Sequence, residues 1–323
     1  MPPITFFLDA GDATLASWRT LQPDAEPQRL VLGEDYWIVL THARLRDAGM
    51  DVRLANRVPD AGIVVFYAGD KRALWSQLRD RQPVLLAAVR SDRHPVGFAD
   101  CEIVQNASSA DDVRNLHVPH WPQPGLIPRD AARGDALRVV LFPGTPQNLD
   151  PQFTSDGTQR LLRERGIELR CAGAGAQPVW NDYHDVDALL ALRPAAMGLV
   201  RNKPAWKLFN AWLAGVPAVL GPESGYRELR EGPLDYVEAA TPDDALRALQ
   251  RLHDEPTAYA AMVANGLRRG SAFTTQATLA RWQLLLSTLD ARLQQLQRHP
   301  PTRATRRRRE WVARLRRMWR SRG

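Results

Sequence analysis

Short runs of apolar residues alternate with amphipathic stretches over the first 120 residues of the chain. The apolar runs are mostly continuous rather than interrupted by polar residues, which is typical of parallel strands buried on both faces. They predict strands over residues 4–8, 52–55, 63–67, 84–89 and 102–104. Helical spacing predicts helices over 71–80 and over 36–48, which Gly49 would end. This alternation of strand and helix indicates a doubly wound parallel sheet.

The same rhythm starts again after a proline-rich passage. Four prolines lie within residues 119–128, so this passage is neither a helix nor an interior strand. Beyond it the pattern predicts strands over 138–142, 167–171, 197–200, 217–220 and 236–238. It predicts helices over 153–165, 205–214, 243–253 and 257–297. We therefore predict an α/β fold in which two Rossmann-like domains face each other across a cleft.

The basic charge of the chain is confined to its last residues. The 323 residues carry a formal net charge of +7, but ten arginines and one glutamate between 303 and 323 contribute +9, so the remaining residues carry −2. A fold that binds nucleic acid spreads basic residues over a folded face, and we therefore expect no specific nucleic-acid partner. The predicted domains are 1–124, a connector over 125–137, 138–298, and a basic amphipathic tail over 299–323.

The apolar residues of this tail fall on one helical stripe, with arginines on the other faces. They are Trp311, Val312, Leu315, Met318 and Trp319. This pattern is typical of a helix that lies on an anionic membrane surface; a disordered tail and an RNA-binding tail are the alternatives.

No apolar stretch is long enough to span a membrane, the start of the chain does not look like a secretory signal, and two cysteines make no disulfide framework. We expect a cytoplasmic protein, peripheral on the inner face of the membrane.

The most informative stretch follows the predicted strand 197–200, where a basic loop leads into a helix. The N-terminus of a helix exposes unpaired N–H groups and a partial positive charge, so Arg201 and Lys203 beside it would form an anion site. Lys203, Lys207 and Asn210 share one polar stripe of this helix. At the carboxyl end of a strand such a site would hold a diphosphate. The alternative is a solvated helix start with incidental lysines.

A known family shares the features of this stretch. The segment KPAWKLFNAWLAGVPAVLGPES, residues 203–224, resembles the C-terminal half of GT-B nucleotide-sugar glycosyltransferases, in particular bacterial ones of cell-envelope polysaccharide synthesis. These enzymes share a turn from helix to strand in which a small residue is followed by Gly-x-Pro. Segments 99–106, 118–129 and 182–187 are also similar, and the resemblance covers roughly residues 30–270.

The resemblance implies that a nucleotide sugar binds to the C-terminal domain and the acceptor to the N-terminal one, with no cofactor and no metal held by an Asp-x-Asp motif. Arg201, Lys203 and Lys207 would stabilise the departing diphosphate. The sequence departs from the family at Asn202 and Asn210, where many retaining members carry glutamates. A retaining mechanism is therefore not carried over.

Two further loops add candidates on the donor side. The turn from Gly144 to Asn148 follows a predicted strand, and its backbone amides could face a ligand, although it could equally be only a tight turn. Glu223, Ser224 and Gly225 follow the predicted strand over 217–220, where the carboxylate could bind ribose or sugar hydroxyls. Alternatively, Ser224 only caps a short helix.

Two other groups are candidates on the acceptor side. Arg90, Asp92 and His94 lie in the loop after a buried strand, and Asp92 or His94 could act as general base if the reaction inverts the anomeric centre. A salt-bridged loop is the alternative. His120 and Trp121 lie near the connector, where a ring could stack on a base or sugar or could pack the hinge.

We therefore expect a metal-independent glycosyltransferase that moves a sugar from a nucleotide-diphosphate donor to an envelope glycan or a lipid-linked acceptor. The alternatives are a nucleotide-sugar epimerase on the same fold and a catalytically inactive protein that binds nucleotide or glycan. The sequence contains no His or Cys spacing suited to a metal and no Gly-x-x-x-x-Gly-Lys-Ser loop. No motif therefore indicates another chemistry.

Overall fold

The computed structural model describes residues 2–174, 180–194 and 202–320, which form two compact units. The first unit comprises residues 1–119 and 278–323, and the second comprises 120–277. Each unit contains a parallel sheet, as the two repeats of the strand–helix pattern predict. The predicted strand over 197–200 and the side chain of Arg201 lie outside the described residues.

The sheet of the first unit has the strand order β2-β1-β3-β4-β5-β6, and all neighbouring strands are parallel. Its strands are β1 (Ile4–Phe7), β2 (Val52–Ala55), β3 (Gly62–Tyr67), β4 (Val84–Val89), β5 (Cys101–Val104) and β6 (Asn115–His117). β3 and β4 are buried along their whole length, which explains why their sequences are apolar without alternation. β6 was not predicted, because it contains a single apolar residue.

Three helices interleave with these strands: α1 (Asp12–Arg19), α2 (Leu40–Asp47) and α3 (Lys71–Gln77). A π-helical turn over Asp35–Val39 runs directly into α2. Gly49, with φ +79°, follows the end of α2, as the sequence predicts for a helix stop.

The last two helices, α9 (Thr275–Arg298) and α10 (Arg303–Arg320), also belong to the first unit, apart from the first three residues of α9. Trp282 of α9 is fully buried, and its ring centroid lies 6.2 Å from that of Phe6 and 6.5 Å from that of Trp37. We predicted that the first domain extends to residue 124 and that residues up to 298 belong to the second. The structure differs at both points: residues 120–124 belong to the second unit, and residues 278–298 belong to the first, where α9 buries its apolar face.

The basic segment at the C-terminus is docked on the first unit. Arg306 is 3% exposed and donates hydrogen bonds to the carbonyls of Phe98 and Val84 at 2.9 and 3.1 Å. It also pairs with Asp100 at 2.9 Å. The predicted separate tail is therefore part of the first unit, because its arginines satisfy backbone and carboxylate groups there. Among the described residues, no helix is both long and apolar enough to cross a lipid bilayer.

The sheet of the second unit has the parallel strand order β11-β10-β9-β7-β8. Its strands are β7 (Val139–Phe142), β8 (Glu168–Cys171), β9 (Ala188–Ala191), β10 (Ala218–Leu220) and β11 (Val237–Glu238). Its helices are α4 (Asp156–Glu164), α5 (Trp206–Ala214), α6 (Ser224–Glu228), α7 (Pro242–Asp254) and α8 (Pro256–Gly270). The sequence did not predict β9, although it pairs with both β7 and β10 at the centre of the sheet.

The proline-rich passage is anchored to the second unit rather than being a free connector. Arg129 and Arg133 both pair with Asp187, which is fully buried, at 2.9 and 2.7 Å. Burial acts to raise the pKa of Asp187, but hydrogen bonds from Arg133, from two backbone N–H groups and from Arg129 hold the pKa below its usual range. The predicted connector over 125–137 thus packs as a structural part of this unit.

Candidate functional site

The loops that carry the predicted donor-binding residues meet at one edge of the second unit's sheet. Gly144 follows β7, Gly173 follows β8, Arg193 follows β9 and Glu223 follows β10. Because the strands are all parallel, their carboxyl ends lie along the same edge, which is the usual ligand-binding edge of such sheets. The structure therefore brings together residues that lie far apart in the sequence.

Lys207, in the first turn of α5, is the central cation of this edge. Its Nζ lies 4.7 Å from the centroid of the Phe142 ring and 3.5 Å from the position that a Cβ on Gly144 would take. Burial and the charge of Arg193 lower the pKa of Lys207 to about 8. A lysine in such surroundings gains stabilisation as a cation when an anion binds beside it.

An ion pair fixes the carboxylate of this edge. Arg193 Nε lies 3.0 Å from Glu223 Oε1, and Glu223 is 9% exposed. A charge-assisted bond to a buried carboxylate restricts the orientation of the Glu223 side chain. Arg193 was not predicted, because β9 was not predicted. The apolar run over 188–192, which an arginine follows directly, is the signal that identifies both.

Two glycine-containing loops approach each other closely beside Lys207. The backbone N–H of Gly173 donates to the carbonyl of Gly144 at 3.0 Å, and a Cβ on Gly173 would lie 2.8 Å from that carbonyl oxygen. The thiol of Cys171 lies 3.0 Å from the same oxygen. A side chain at position 173 would therefore displace the Gly144 loop.

Lysine is rare in this chain, which makes its placement informative. Only three of the 43 lysine and arginine residues are lysines. Two of these, Lys203 and Lys207, lie four residues apart around the start of α5. Lys203 is half-buried, and its charge also lowers the pKa of Lys207. A compact ammonium group suits a site where a point charge must approach a phosphate oxygen.

The remaining donor-side candidates have mixed placements. Asn148 donates from Nδ2 to Thr145 Oγ1 at 2.9 Å and thereby stabilises the turn after β7. Gly225 is buried in the short helix α6, while Ser224 is exposed. Glu223 occupies the N-cap position of α6 and no side chain caps it, so Ser224 does not have the capping role considered above.

Asn210 has a structural role in place of the predicted ligand contact. The residue is 1% exposed, and its Oδ1 accepts a hydrogen bond from the backbone N–H of Gln123 at 3.0 Å. It therefore ties α5 to the proline-rich passage. Helical spacing placed Asn210 on a polar stripe with the lysines, but spacing does not show which polar residue bonds the chain's own backbone.

His120 and Trp121 pack inside the second unit. Trp121 is 1% exposed, so its ring does not present a stacking surface for a base or sugar, and the packing alternative is the correct one. His120 Nδ1 lies 2.7 Å from the carbonyl oxygen of Trp121, and its ring centroid lies 5.7 Å from that of Trp206. Burial lowers the pKa of His120 to about 4, so it is neutral at pH 7.

In the first unit, Asp70 lies in the turn that follows β3. Its Oδ2 accepts a hydrogen bond from the backbone N–H of Asp9, at 3.5 Å, in the loop after β1. Burial raises the pKa of Asp70 to about 6, and the negative charges of Glu34 and Asp9 act in the same direction. A carboxylate with this pKa is suited to accept a proton near neutral pH. The sequence pattern does not indicate this role for Asp70, because its environment depends on two distant loops.

The predicted acceptor-side residues follow β4 and differ in their surroundings. Asp92 and His94 are exposed. Arg90 instead pairs with Glu102, which is 1% exposed, at 3.3 Å, so it neutralises a buried carboxylate and is not directed to a ligand. Arg93, between the two candidates, donates from Nε to the hydroxyl of Tyr67 at 3.3 Å.

Within the described ranges, no group of three or more His, Cys, Asp or Glu side chains is arranged as it would be around a metal ion.

No protein-family model matches the sequence, and no curated protein matches it. Solved structures of similar fold do match. Sucrose-phosphate synthase from Thermosynechococcus elongatus has a TM-score of 0.58 at 15% identity, covering 90% of this chain and 100% of that one. AviGT4, a glycosyltransferase involved in avilamycin A biosynthesis, has a TM-score of 0.54 at 14% identity, covering 90% and 98%.

A mutant of S. aureus TarM, in a complex that contains UDP and alpha-GlcNAc-glycerol, has a TM-score of 0.50 at 9% identity. The match covers 77% of this chain, which spans 58% of the TarM chain. All these neighbours are GT-B glycosyltransferases. The chain therefore has the GT-B fold that the sequence resemblance implied.

Proposed function

We propose that this protein is a glycosyltransferase that moves a sugar from a nucleotide-diphosphate donor to an envelope glycan or a lipid-linked acceptor. The observation that carries the proposal is the half-buried Lys207, held beside the Gly144 turn and the Arg193–Glu223 pair at the carboxyl edge of a GT-B sheet. The UDP in the TarM complex supports a nucleotide as the ligand of this fold.

The donor edge has a separate task for each group. Lys207, with Lys203 and Arg201, neutralises the charge that develops on the departing diphosphate. Because these cations supply the positive charge, the proposed reaction needs no metal ion and no cofactor. Glu223, oriented by Arg193, accepts hydrogen bonds from ribose or sugar hydroxyls.

The acceptor hydroxyl must lose a proton as the sugar is transferred. We assign this general-base role to Asp70 rather than to Asp92 or His94, because Asp92 and His94 are exposed, whereas Asp70 is half-buried and its burial raises its pKa to about 6. With a base of this kind, the reaction inverts the anomeric centre. The asparagines at positions 202 and 210 agree with this, since glutamates at the matching positions are typical of retaining relatives.

The protein is further proposed to work on the cytoplasmic face of a membrane. Trp311 and Met318 of α10 are 61% and 52% exposed, and arginines flank them along the helix. Exposed tryptophan beside arginine is favoured at the surface of anionic lipid.

Isothermal titration with UDP, GDP and TDP tests the donor site. We expect micromolar binding of at least one nucleotide. Lys207→Met should weaken it about tenfold to a hundredfold, since a charge-assisted hydrogen bond contributes ~1.5–3 kcal/mol. Arg247→Met, which removes a 67% exposed side chain of α7 in the same unit, is the matched control and should bind as the wild type does.

The outcome of this titration also separates the alternatives. Failure to bind any of the three nucleotides would contradict the proposal. Binding without release of nucleotide from any donor in a panel of sugar nucleotides and acceptors would favour the catalytically inactive protein.

A further inference from the structure

A large groove runs along α10 on the surface of the first unit. Its volume is about 1310 Å³, above the ~300–1,000 Å³ usual for small-molecule sites. α3 and the β4–β5 loop form one wall, and α10 forms the other. An elongated ligand would fill a groove of this size better than a compact one.

The wall formed by α10 is held firmly in place. Glu310 accepts a hydrogen bond from the backbone N–H of Gly97 at 2.6 Å. A Cβ on Gly97 would lie 2.6 Å from the Glu310 Cα and 2.7 Å from the carbonyl oxygen of Arg309, so only glycine permits this approach. Together with the buried Arg306, these contacts make the groove a fixed feature of the fold.

The floor and walls of the groove are aromatic and aliphatic. Phe98 and Trp75 line one side, with their ring centroids 5.0 Å apart. Trp311 and Met318 line the other side and are mostly exposed to solvent. These apolar side chains, bordered by polar residues, form a surface on which a hydrocarbon chain can pack.

The rim of the groove is strongly cationic. Lys71, Arg72, Arg307 and Arg314 line it, and Glu310 is the only carboxylate among its described lining residues. Glu310 already pairs with Lys71 at 3.8 Å and with Arg314 at 3.4 Å and accepts the Gly97 N–H. The remaining positive charge complements an anionic head group.

The groove also reaches the part of the first unit that carries the acceptor-side candidates. His94 lines it, and Lys71 directly follows Asp70, the proposed general base. A phosphate at Lys71 would therefore lie near the loops after β3 and β4, while a hydrocarbon chain would extend between Trp75 and Trp311.

We propose that this groove binds the acceptor's lipid: a single long hydrocarbon chain that ends in a phosphate. This inference rests on the proposed function and deepens it, because it selects a lipid-linked acceptor over a free glycan. The hydrocarbon chain packs against Phe98, Trp311 and Met318, and the phosphate binds the cations at the rim.

Dodecyl phosphate, used below its micelle concentration, is the probe, and the full chain is titrated with it by calorimetry. We expect saturable binding with one molecule per chain. Dodecyl maltoside, which has the same hydrocarbon chain without the charge, and inorganic phosphate alone should each bind at least about tenfold more weakly.

The arginines of α10 provide matched variants. Arg307 and Arg314 line this groove, whereas Arg308 and Arg316 line a different pocket along the same helix. Arg307→Gln with Arg314→Gln should weaken binding about tenfold or more, and Arg308→Gln with Arg316→Gln should leave it within about twofold. Trp311→Ala should also weaken binding, while Leu284→Ala, which truncates a 70% exposed residue of α9, should not.

Three results would overturn the proposal. The first is no binding of the probe. The second is an equal loss in both double variants, which would indicate attraction to total charge, as on an anionic membrane surface. The third is equal affinity for inorganic phosphate, which would indicate an anion site without a lipid. Thermal unfolding of each variant checks that α10 stays docked.

The titration with nucleotides keeps this test separate from that of the proposed function. UDP, GDP or TDP should bind the groove variants as they bind the wild type, because the donor residues belong to the second unit. If the wild type binds a nucleotide but not dodecyl phosphate, only the groove is contradicted. If it binds dodecyl phosphate but none of the nucleotides, only the donor site is contradicted.

Discussion

At the scale of single residues, Lys207 should set the pH dependence of nucleotide binding. Burial and the charge of Arg193 lower its pKa to about 8, so Lys207 is mostly protonated below that pH and loses its positive charge as the pH rises through it. We expect affinity for the nucleotide diphosphate to fall between pH 8 and 9.5. Lys207→Arg should abolish this fall, because arginine stays protonated throughout the range. Calorimetry across the range measures it, and an unchanged fall in Lys207→Arg would contradict the assignment.

Asp70 should control the acid side of the rate profile. A general base must be deprotonated to act, so kcat/KM should rise with pH through about 6, the pKa that burial gives this carboxyl. Asp70→Asn should lower kcat by about 10²–10⁴-fold. Asp92→Asn, which changes an exposed carboxylate in the loop after the next strand, β4, should retain most activity. A larger loss in Asp92→Asn than in Asp70→Asn would return the role to Asp92.

These residues show which parts of a site a sequence can predict. Lys207 and Glu223 could be placed because each follows a strand or begins a helix that the pattern predicts. Arg193 and Asp70 could not, because a missed strand hid one and contacts with distant loops define the other. Trp121 illustrates the opposite error, in which a residue predicted to contact the ligand is part of the core. The sequence does not show whether an aromatic ring is buried.

At the scale of elements, α10 should be needed for the stability of the first unit. Arg306 pairs with Asp100, and both side chains are largely buried. Breaking a buried pair costs about 3–5 kcal/mol, so Arg306→Ala should markedly lower the free energy of unfolding. Arg308→Ala, on the exposed side of the same helix, is the control. Urea unfolding measures both, and equal stability of the two variants would mean that the Arg306–Asp100 pair does not stabilise the first unit.

Sequence patterns predicted elements better than the partners on which they pack. The parallel strands β3 and β4 were predicted almost to the residue, because continuous burial leaves continuous apolar runs. The apolar stripe of α10 was recognised too, but the arginines that dock the helix look like solvated charges in the sequence. Their partners are mostly backbone carbonyls of residues 78–98, which no side-chain pattern records.

At the scale of the whole molecule, the chain returns to its first unit after completing the second. Two repeats of the strand–helix pattern predict two units correctly. However, a helix with an apolar face can pack on either core, and the sequence of α9 does not show which. Trp282, packed near Phe6 and Trp37, is the contact that decides it.

Since each unit has its own sheet and its own proposed ligand, hydrogen exchange should separate their responses. UDP at a hundred times its Kd stabilises the unit that binds it by about 2.7 kcal/mol, which slows exchange through global opening about a hundredfold. We expect this protection in β7, β9 and β10, and none of that size in β3 and β4. Dodecyl phosphate should instead protect α10 and the β4–β5 loop. If UDP protected both sheets equally, or if dodecyl phosphate acted on the second unit, the assignment of one ligand to each unit would be wrong.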